Sequence, residues 1–378
     1  MEVSKARDFF PYTNTDIIYF NHAATGPLST FVTDKLNEYI KERSFERIDN
    51  FPKVGEYAKS TKEDLGKYLN CTADRIAFTD NTTNGINILA SGINWNKDDR
   101  ILLNDIEFPA NVYPFLNLQK EGVLIDFVKS HNGIVSAEDI ISNIKPDTKL
   151  VSISFVQFLT GYRADLEKIG RYCKEKEIIF CVDAIQGLGA LQLDVKKCNV
   201  DFLSCGTQKW MLGLQGFAFI YLTEDLQNKL QPKYAGWLSV ENSWDFLHYE
   251  LIPRKSAERY QYGTISHIGV FAFRGALDFF QLFNWGDIEK QTIEVASYLS
   301  DQLGEIGIET YLAGCSKENL SGIVSFKHNE SQKVYDYLAD NQVSCAVREG
   351  IIRLSPHFYN TFEECDKLVS ILKKYTSR

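Results

Sequence analysis

Seven short, almost uninterrupted apolar runs lie between residues 75 and 222: Arg75–Asp80, Arg100–Phe108, Gly122–Ser130, Lys149–Phe158, Ile178–Ala184, Asp201–Gly206 and Gly216–Leu222. A strand with one wet face alternates apolar and polar residues, whereas a run apolar at nearly every position suits a strand covered on both faces. Amphipathic stretches such as Ser136–Ile144 and Asp165–Glu177 fall between the runs, with apolar residues at helical spacing. Strand and helix in alternation predict an α/β fold with a mainly parallel sheet under helices. Ligands of such sheets bind beyond the carboxyl ends of the strands.

The pattern changes near Gly263. Two long helical stretches, Ile268–Leu282 and Ile288–Ile306, precede a strand-like Ser321–His328, a helix from Ser331, a strand pair near Ser344–Leu354 and a last helix, Phe362–Tyr375. This predicts a large domain over 16–262 and a smaller α+β C-terminal domain over 263–378, joined by 1–15. Lys+Arg number 41 against Asp+Glu 50, a net charge of -9, which argues against nucleic acid as a partner because phosphate neutralisation needs a basic face. No apolar run approaches the roughly 18 residues of a membrane span. The opening MEVSKARDFFPYTNTD lacks the charged-then-apolar pattern of a signal peptide, and the eight cysteines form no CxxC pair. A cytoplasmic protein with reduced thiols is expected. No P-loop, HExxH or GxSxG occurs, GLGALQ lacks the third glycine of a dinucleotide fingerprint, and six scattered histidines argue against a metal site.

Two segments carry the sharpest chemical signal. In IIFCVDAIQGLGAL, Asp183 ends a very apolar strand and Gln186 follows three positions on. In DFLSCGTQKWMLGLQGFAFIYL, Lys209 lies between two apolar strands. Taken singly, the aspartate suits a turn cap and the lysine a solvent-reaching loop. A desolvated lysine, however, is a usable amine nucleophile. A lysine for a Schiff base with an aspartate for a pyridinium nitrogen is the pair that pyridoxal-phosphate chemistry requires.

With these motifs the chain resembles the class V aminotransferases of the fold-type I pyridoxal-phosphate enzymes, relatives of isopenicillin N epimerase, kynureninase and cysteine desulfurase. The resemblance runs from YFNHAATGP to RLSPHFYNT. It implies pyridoxal 5'-phosphate as cofactor, Lys209 as its Schiff-base lysine, Asp183 at the ring nitrogen and Gln186 at the phenolic oxygen. Thr82 and Thr83 of TDNTTNGIN are the implied phosphate ligands, at a helix start that otherwise reads as an N-cap cluster. Gln208 stands where relatives carry a phosphate-reaching side chain. Gly263 and Thr264 of YQYGTISH match a segment that reaches the phosphate of a neighbouring subunit, which implies a homodimer; alone they are a turn. Phe108 of EFPANVYP matches a ring-stacking aromatic, with a core role as the alternative. Gln157, Asn21 and Ala24 are implied near substrate, and His22 suits packing equally. Arg353 matches the carboxylate-binding arginine, and Arg348 a second arginine; on a surface strand either would simply be solvated.

The cofactor fixes a chemical class rather than one outcome. Transamination of a small α-amino acid is the main expectation, with a β-lyase or an epimerase as alternatives and a catalytically idle scaffold as the non-enzyme reading. Desulfurases carry a mobile loop with a nucleophilic cysteine between the two arginine motifs. Here only Glu349–Ile352 separate Arg348 from Arg353, and the nearby Cys345 sits at a strand position. Sulfur transfer through a protein persulfide is therefore disfavoured.

Overall fold

A computed structural model provides the structure, which describes residues 3–376. The first elements are β1 (Ile18–Tyr19), α1 (Thr30–Phe45) and α2 (Phe51–Leu69). Next come β2 (Ile76–Thr79), α3 (Thr82–Gly92), β3 (Arg100–Asn104), α4 (Tyr113–Leu116), β4 (Leu124–Val128), α5 (Ala137–Ser142) and β5 (Thr148–Ser154). They are followed by α6 (Leu166–Glu175), β6 (Ile179–Asp183), β7 (Phe202–Gly206), β8 (Ala218–Leu222) and α7 (Glu224–Lys229). The chain continues through α8 (His267–Phe280), α9 (Trp285–Glu305), β9 (Val324–Lys327) and α10 (Ser331–Asp340). It ends with β10 (Val343–Ser344), β11 (Ala346–Arg348), β12 (Ile351–Leu354) and α11 (Phe362–Thr376).

All seven apolar runs become strands of one sheet, in the order β2-β8-β7-β6-β5-β3-β4. β3, β4, β5, β6 and β7 run parallel, and β8 is antiparallel to both of its neighbours. The reversal follows from the connection: residues 207–217 carry no crossover helix, and a parallel return needs one. Pairing of Ser154 with Asp183, and of Asp183 with Ser204, keeps the carboxyl ends of β5, β6 and β7 level. The second run is shorter as a strand than as a sequence pattern. β3 stops at Asn104, whose Oδ1 accepts the Ile106 N–H at 3.2 Å and turns the chain.

Local chemistry sets the helix starts. Asn81 Oδ1 accepts the Asn84 N–H at 2.8 Å and caps α3, and Ser136 with Asp139 forms a reciprocal capping box on α5. α9 begins earlier than the apolar spacing predicts, because Asn284 Oδ1 accepts the Gly286 N–H at 2.7 Å. α8 packs on α1 so closely that a Cβ at Gly275 would lie 2.6 Å from the Phe31 carbonyl oxygen.

The smaller C-terminal α+β domain has an antiparallel sheet β11-β12-β9, with α9, α10 and α11 packed about it. β11 and β12 are joined by Glu349 and Gly350 alone, both at positive φ (49° and 75°), the conformation of a two-residue hairpin turn. β1 pairs in parallel with β10, so residues near the start join this end of the molecule. Phe10 stacks on Tyr359 at 4.0 Å, and the Arg7 guanidinium reaches both oxygens of Glu364 at 3.0 and 3.1 Å. Among the described residues no helix is long and apolar enough to cross a membrane, and no group of His, Cys, Asp or Glu is placed to hold a metal ion.

α3 seats against β7 through Gly85, where an added Cβ would meet Ser204 Oγ at 2.2 Å and Ile220 Cγ2 at 2.8 Å. Gly85→Ala should therefore lower the melting temperature by a few degrees: overpacking costs about 1–3 kcal/mol, more than the roughly 1 kcal/mol that alanine gains in a helix. Gly55→Ala on α2, where a Cβ would meet nothing within 4 Å, should raise it. Thermal melts of the two variants check the contrast, and equal effects would remove the packing argument.

Candidate active site

The loop after β7 is closed by its own backbone. Thr207 N–H donates to Phe217 O at 3.0 Å, Gly213 N–H to Thr207 O at 2.8 Å, and Leu212 N–H to Lys209 O at 3.0 Å, with Leu212 at φ 57°. The Thr207 hydroxyl lies 3.0 and 2.9 Å from the carbonyls of Leu214 and Phe217, so it serves this closure. The segment after β1 locks onto the loop: Gly26 N–H donates to Gln208 O at 2.7 Å, and a Cβ there would sit 2.3 Å from Lys209 O. Trp210, fully buried, donates its indole N–H to Gln186 Oε1 at 2.9 Å, while Gln186 Nε2 donates to Ala23 O at 3.0 Å. One Gln186 amide hydrogen remains for a ligand.

Lys209 thus stands on a rigid base. Its ammonium has no hydrogen bond or ion pair among the described residues and lies 5.7 Å from the Phe108 ring centre. Burial first, and the charge of Arg353 second, push its pKa down from the ordinary lysine value. Asp183 is buried at the end of β6, where Oδ1 accepts the Ile185 N–H at 3.1 Å. It forms no ion pair among the described residues, and burial, with the nearby Glu107, raises its pKa. A buried carboxylate without a cation is costly. A protonated pyridine nitrogen is the partner such a carboxylate lacks, so the donor set fits pyridoxal phosphate at this point.

A polar cluster forms around Gly206. Thr82 Oγ1 accepts the Gly206 N–H at 3.0 Å, and Ser204 Oγ donates to Thr82 O at 3.0 Å. A Cβ at Gly206 would lie 2.6 Å from Gln208 Oε1 and 3.3 Å from Thr82 Oγ1, so these two side chains converge over the glycine. Half-buried Thr83 follows at the start of α3, where backbone N–H groups and the helix dipole favour an anion. Gly263 and Thr264 are not part of this group. They line a separate cavity of about 780 Å³ with Asn84 and Asn87 of α3 and Tyr234.

Phe108 is 44% exposed, which removes a core role; its ring meets Phe158 edge-on at 5.2 Å. Arg353, by contrast, is only 2% exposed in a fully buried strand. Nη1 donates to Phe158 O at 2.7 Å, Nε has no partner, and no carboxylate pairs with it among the described residues. Burial, then Arg348, pushes its pKa down to about 10. A buried guanidinium with an idle donor suits a ligand carboxylate. Arg348 is exposed and donates to Val347 O at 2.8 Å. Gln157 Oε1 and Asn21 Oδ1 are buried acceptors without donors, and half-buried Ala24 lies three residues after Asn21, its N–H donating to Asn21 O. His22 is wholly buried between Ser355 O, 2.9 Å from Nδ1, and the Tyr359 hydroxyl, 2.5 Å from Nε2, so it packs.

Sequence reasoning passes over Glu107, a buried carboxylate between β3 and β5, and the aromatic base that Trp210, His357 and Tyr359 form with His22. Only the charge of Glu107 within an apolar run could have flagged it. All eight cysteine thiols are pushed above their ordinary value by burial, Cys345 up to about 12, so none is activated as a nucleophile.

Residues 18–368 match the family model "Aminotransferase class-V". A protein of Ureaplasma parvum named "Probable cysteine desulfurase" is 30% identical, the match covering 98% of this chain and 96% of that one. An "Uncharacterized aminotransferase YcbU" of Bacillus subtilis is 26% identical, covering 95% and 94%. The apo cysteine desulfurase of Thermococcus onnurineus superposes with a TM-score of 0.90 over 100% of this chain and 99% of that one, at 22% identity, a likeness of fold.

The aromatic base makes stability sensitive to acid. Burial holds His357 down at about 4, below its unfolded value near 6.5, with Nε2 3.1 Å from Trp210 O. The folded state therefore binds fewer protons, and its stability is complete above about pH 6.5 and declines as pH falls toward 4. The loss is of order 3 kcal/mol for His357. Urea melts at pH 7 and pH 5 should show this decline, and His357→Gln should flatten it. An unchanged slope in the variant would assign the loss to other groups.

Proposed function

The chain belongs to the class-V aminotransferase family, and we propose that this member is a pyridoxal-phosphate-dependent lyase that releases the sulfur of a small sulfur-containing α-amino acid. The observation that carries the reading is the juxtaposition of two basic side chains, Lys209 and the buried Arg353, with the buried carboxyl of Asp183, none of them in an ion pair among the described residues. The pair offers an amine nucleophile and a carboxylate fork, which is what an α-amino acid requires. The curated relatives' names favour cysteine chemistry over transamination. A protein persulfide is disfavoured, because no thiol is activated and a two-residue turn links Arg348 to Arg353's strand. The sulfur then leaves as a free species: amino acid and water give keto acid, ammonia and sulfide.

Bound pyridoxal phosphate supplies an electron sink for the pair released when a bond at Cα breaks. Lys209 Nζ would hold the cofactor and then accept the proton from Cα; its lowered pKa keeps more of the amine in the neutral, proton-accepting form near pH 7. Asp183 keeps a proton at the ring nitrogen, and Gln186 offers its remaining amide hydrogen to the ring oxygen. Thr82, Thr83, Gln208 and the α3 N–H groups bind phosphate. Phe108 would stack on the cofactor ring. Arg353 grips the substrate carboxylate, with Arg348 at the rim, while Gln157 and Asn21 accept hydrogen bonds from ligand donors and Ala24 lines the entrance. Gly263 and Thr264 reach the phosphate of a second copy, so the working unit is a homodimer.

Borohydride reduction should fix cofactor mass on the peptide holding Lys209, read by mass spectrometry; an unlabelled peptide overturns the cofactor assignment. Incubation with L-cysteine should then yield pyruvate and sulfide, whereas keto acid with an aminated cofactor would mean transamination instead. Arg353→Ala should cut kcat/KM about 10- to 150-fold through KM, the worth of hydrogen bonds to a charged group, and leave cofactor colour unchanged. Unaltered kinetics would take Arg353 out of the site.

A further inference from the structure

β3 and β5 begin as neighbours but part before their ends. Their pairing stops at Leu102 with Val151, while β3 stays with β4 as far as Asn104 and β5 stays with β6 as far as Ser154. The fork lies where the connections change direction across the sheet, since β4 lies to one side of β3 and β5 to the other. It strands the N–H of Ser154, a ladder donor without a strand to receive it. Glu107 fills the gap. Its Oε1 accepts that N–H at 2.9 Å, Asn104 Nδ2 at 2.6 Å and Gln157 Nε2 at 3.0 Å. Its Oε2 accepts Ser154 Oγ at 2.5 Å and Asn111 Nδ2 at 3.1 Å. Asn111 is itself tied to β5, because Ser152 Oγ donates to Asn111 Oδ1 at 2.6 Å.

Every partner of Glu107 is a donor. A carboxylate satisfies such a shell, and a carboxamide of the same shape cannot, because its NH₂ would face donors. Two consequences reach the candidate site. Phe108 follows Glu107 directly, so the anchored turn 104–111 sets where its ring stands, 5.7 Å from Lys209 Nζ. Gln157 has its NH₂ drawn to Glu107 and to Asn104 Oδ1 at 3.4 Å, which leaves Oε1 buried and unpaired.

We propose that Glu107 is a positioning residue: from the β3/β5 fork it holds Phe108 over Lys209 and turns the acceptor of Gln157 toward the ligand, without touching the ligand itself. The proposal rests on the cofactor assignment above. Its chemistry requires a donor on the ligand opposite Gln157 Oε1 and a flat ring beneath Phe108.

The test compares Glu107→Gln, Phe108→Leu and the double variant, each loaded with pyridoxal phosphate. Three readouts apply: the Kd of cofactor for apoprotein, the visible circular-dichroism band of the bound cofactor, and kcat and KM with L-cysteine. Glu107→Gln should lower kcat about tenfold, weaken cofactor binding several-fold, halve the dichroism band and raise KM by less than kcat falls, the pattern of misplaced groups with Arg353 still gripping substrate. Phe108→Leu should lose a similar part of the band, and the double variant should be no worse than the worse single one, as expected of residues acting through one another. Ser154→Ala, which leaves Glu107 four donors, should give the same changes in smaller measure and covers the case in which Glu107→Gln does not fold. Full dichroism and kcat in Glu107→Gln, or in Ser154→Ala should the former not fold, would overturn the proposal, as would additive losses in the double variant. Failure of wild-type protein to take up borohydride label at Lys209 would instead sink the cofactor assignment, so the two failures are told apart.

Discussion

Three ionisable side chains sit at one place with no ion-pair partner among the described residues. Asp183, Lys209 and Arg353 lie where water is largely excluded, and none forms an ion pair among the described residues. Folding a chain into this state costs free energy that a ligand carrying the complementary groups recovers. The rest of the structure is arranged to bear that cost. The sheet supplies a level rim for Asp183, the aromatic layer of Trp210, His22, His357 and Tyr359 supplies a stiff floor for Lys209, and β12 supplies a buried strand for Arg353.

The same economy explains where polar groups do find partners. Gln186 links the segment after β1 to Trp210, and Glu107 replaces the ladder lost at the β3/β5 fork. These carboxylate and carboxamide bonds are internal scaffolding, and they leave a small number of idle atoms: Arg353 Nε, Gln157 Oε1 and Asn21 Oδ1. The satisfied groups hold the idle ones in place, so a ligand would meet fixed donors and acceptors rather than mobile ones.

The legible part of the site was the part written at strand ends. Asp183 and Lys209 could be read because each interrupts or follows an apolar run, and the stretch between Arg348 and Arg353 could be read as too short for a long loop. Glu107 could not be read, since its partners Ser154 and Gln157 lie 47 and 50 positions away. Nor could the cavity that Gly263 and Thr264 line with Asn84 and Asn87 be seen, because which face of α3 a turn meets is settled by packing. Phe108 illustrates the limit most simply: residue type left a ring-stacking role and a core role both open, and the fold alone leaves it 44% exposed, because β3 ends four residues before it.

By itself the sequence determined the class of fold and the chemical vocabulary of the site, because hydrophobic period and residue type are local properties. Alternating apolar runs demanded a covered parallel sheet, and the VDAIQ and GTQKW segments set an acid and an amine at its carboxyl edge. Tertiary structure alone decided which charges go unpaired. Arg353 is a surface residue or a buried donor according to what covers β12, and β12 is covered by segments distant in the chain: Phe158, whose carbonyl holds the guanidinium, is 195 positions away. Burial and pairing are properties of the packed whole, and it is they that turn a common set of side chains into a site that wants a ligand.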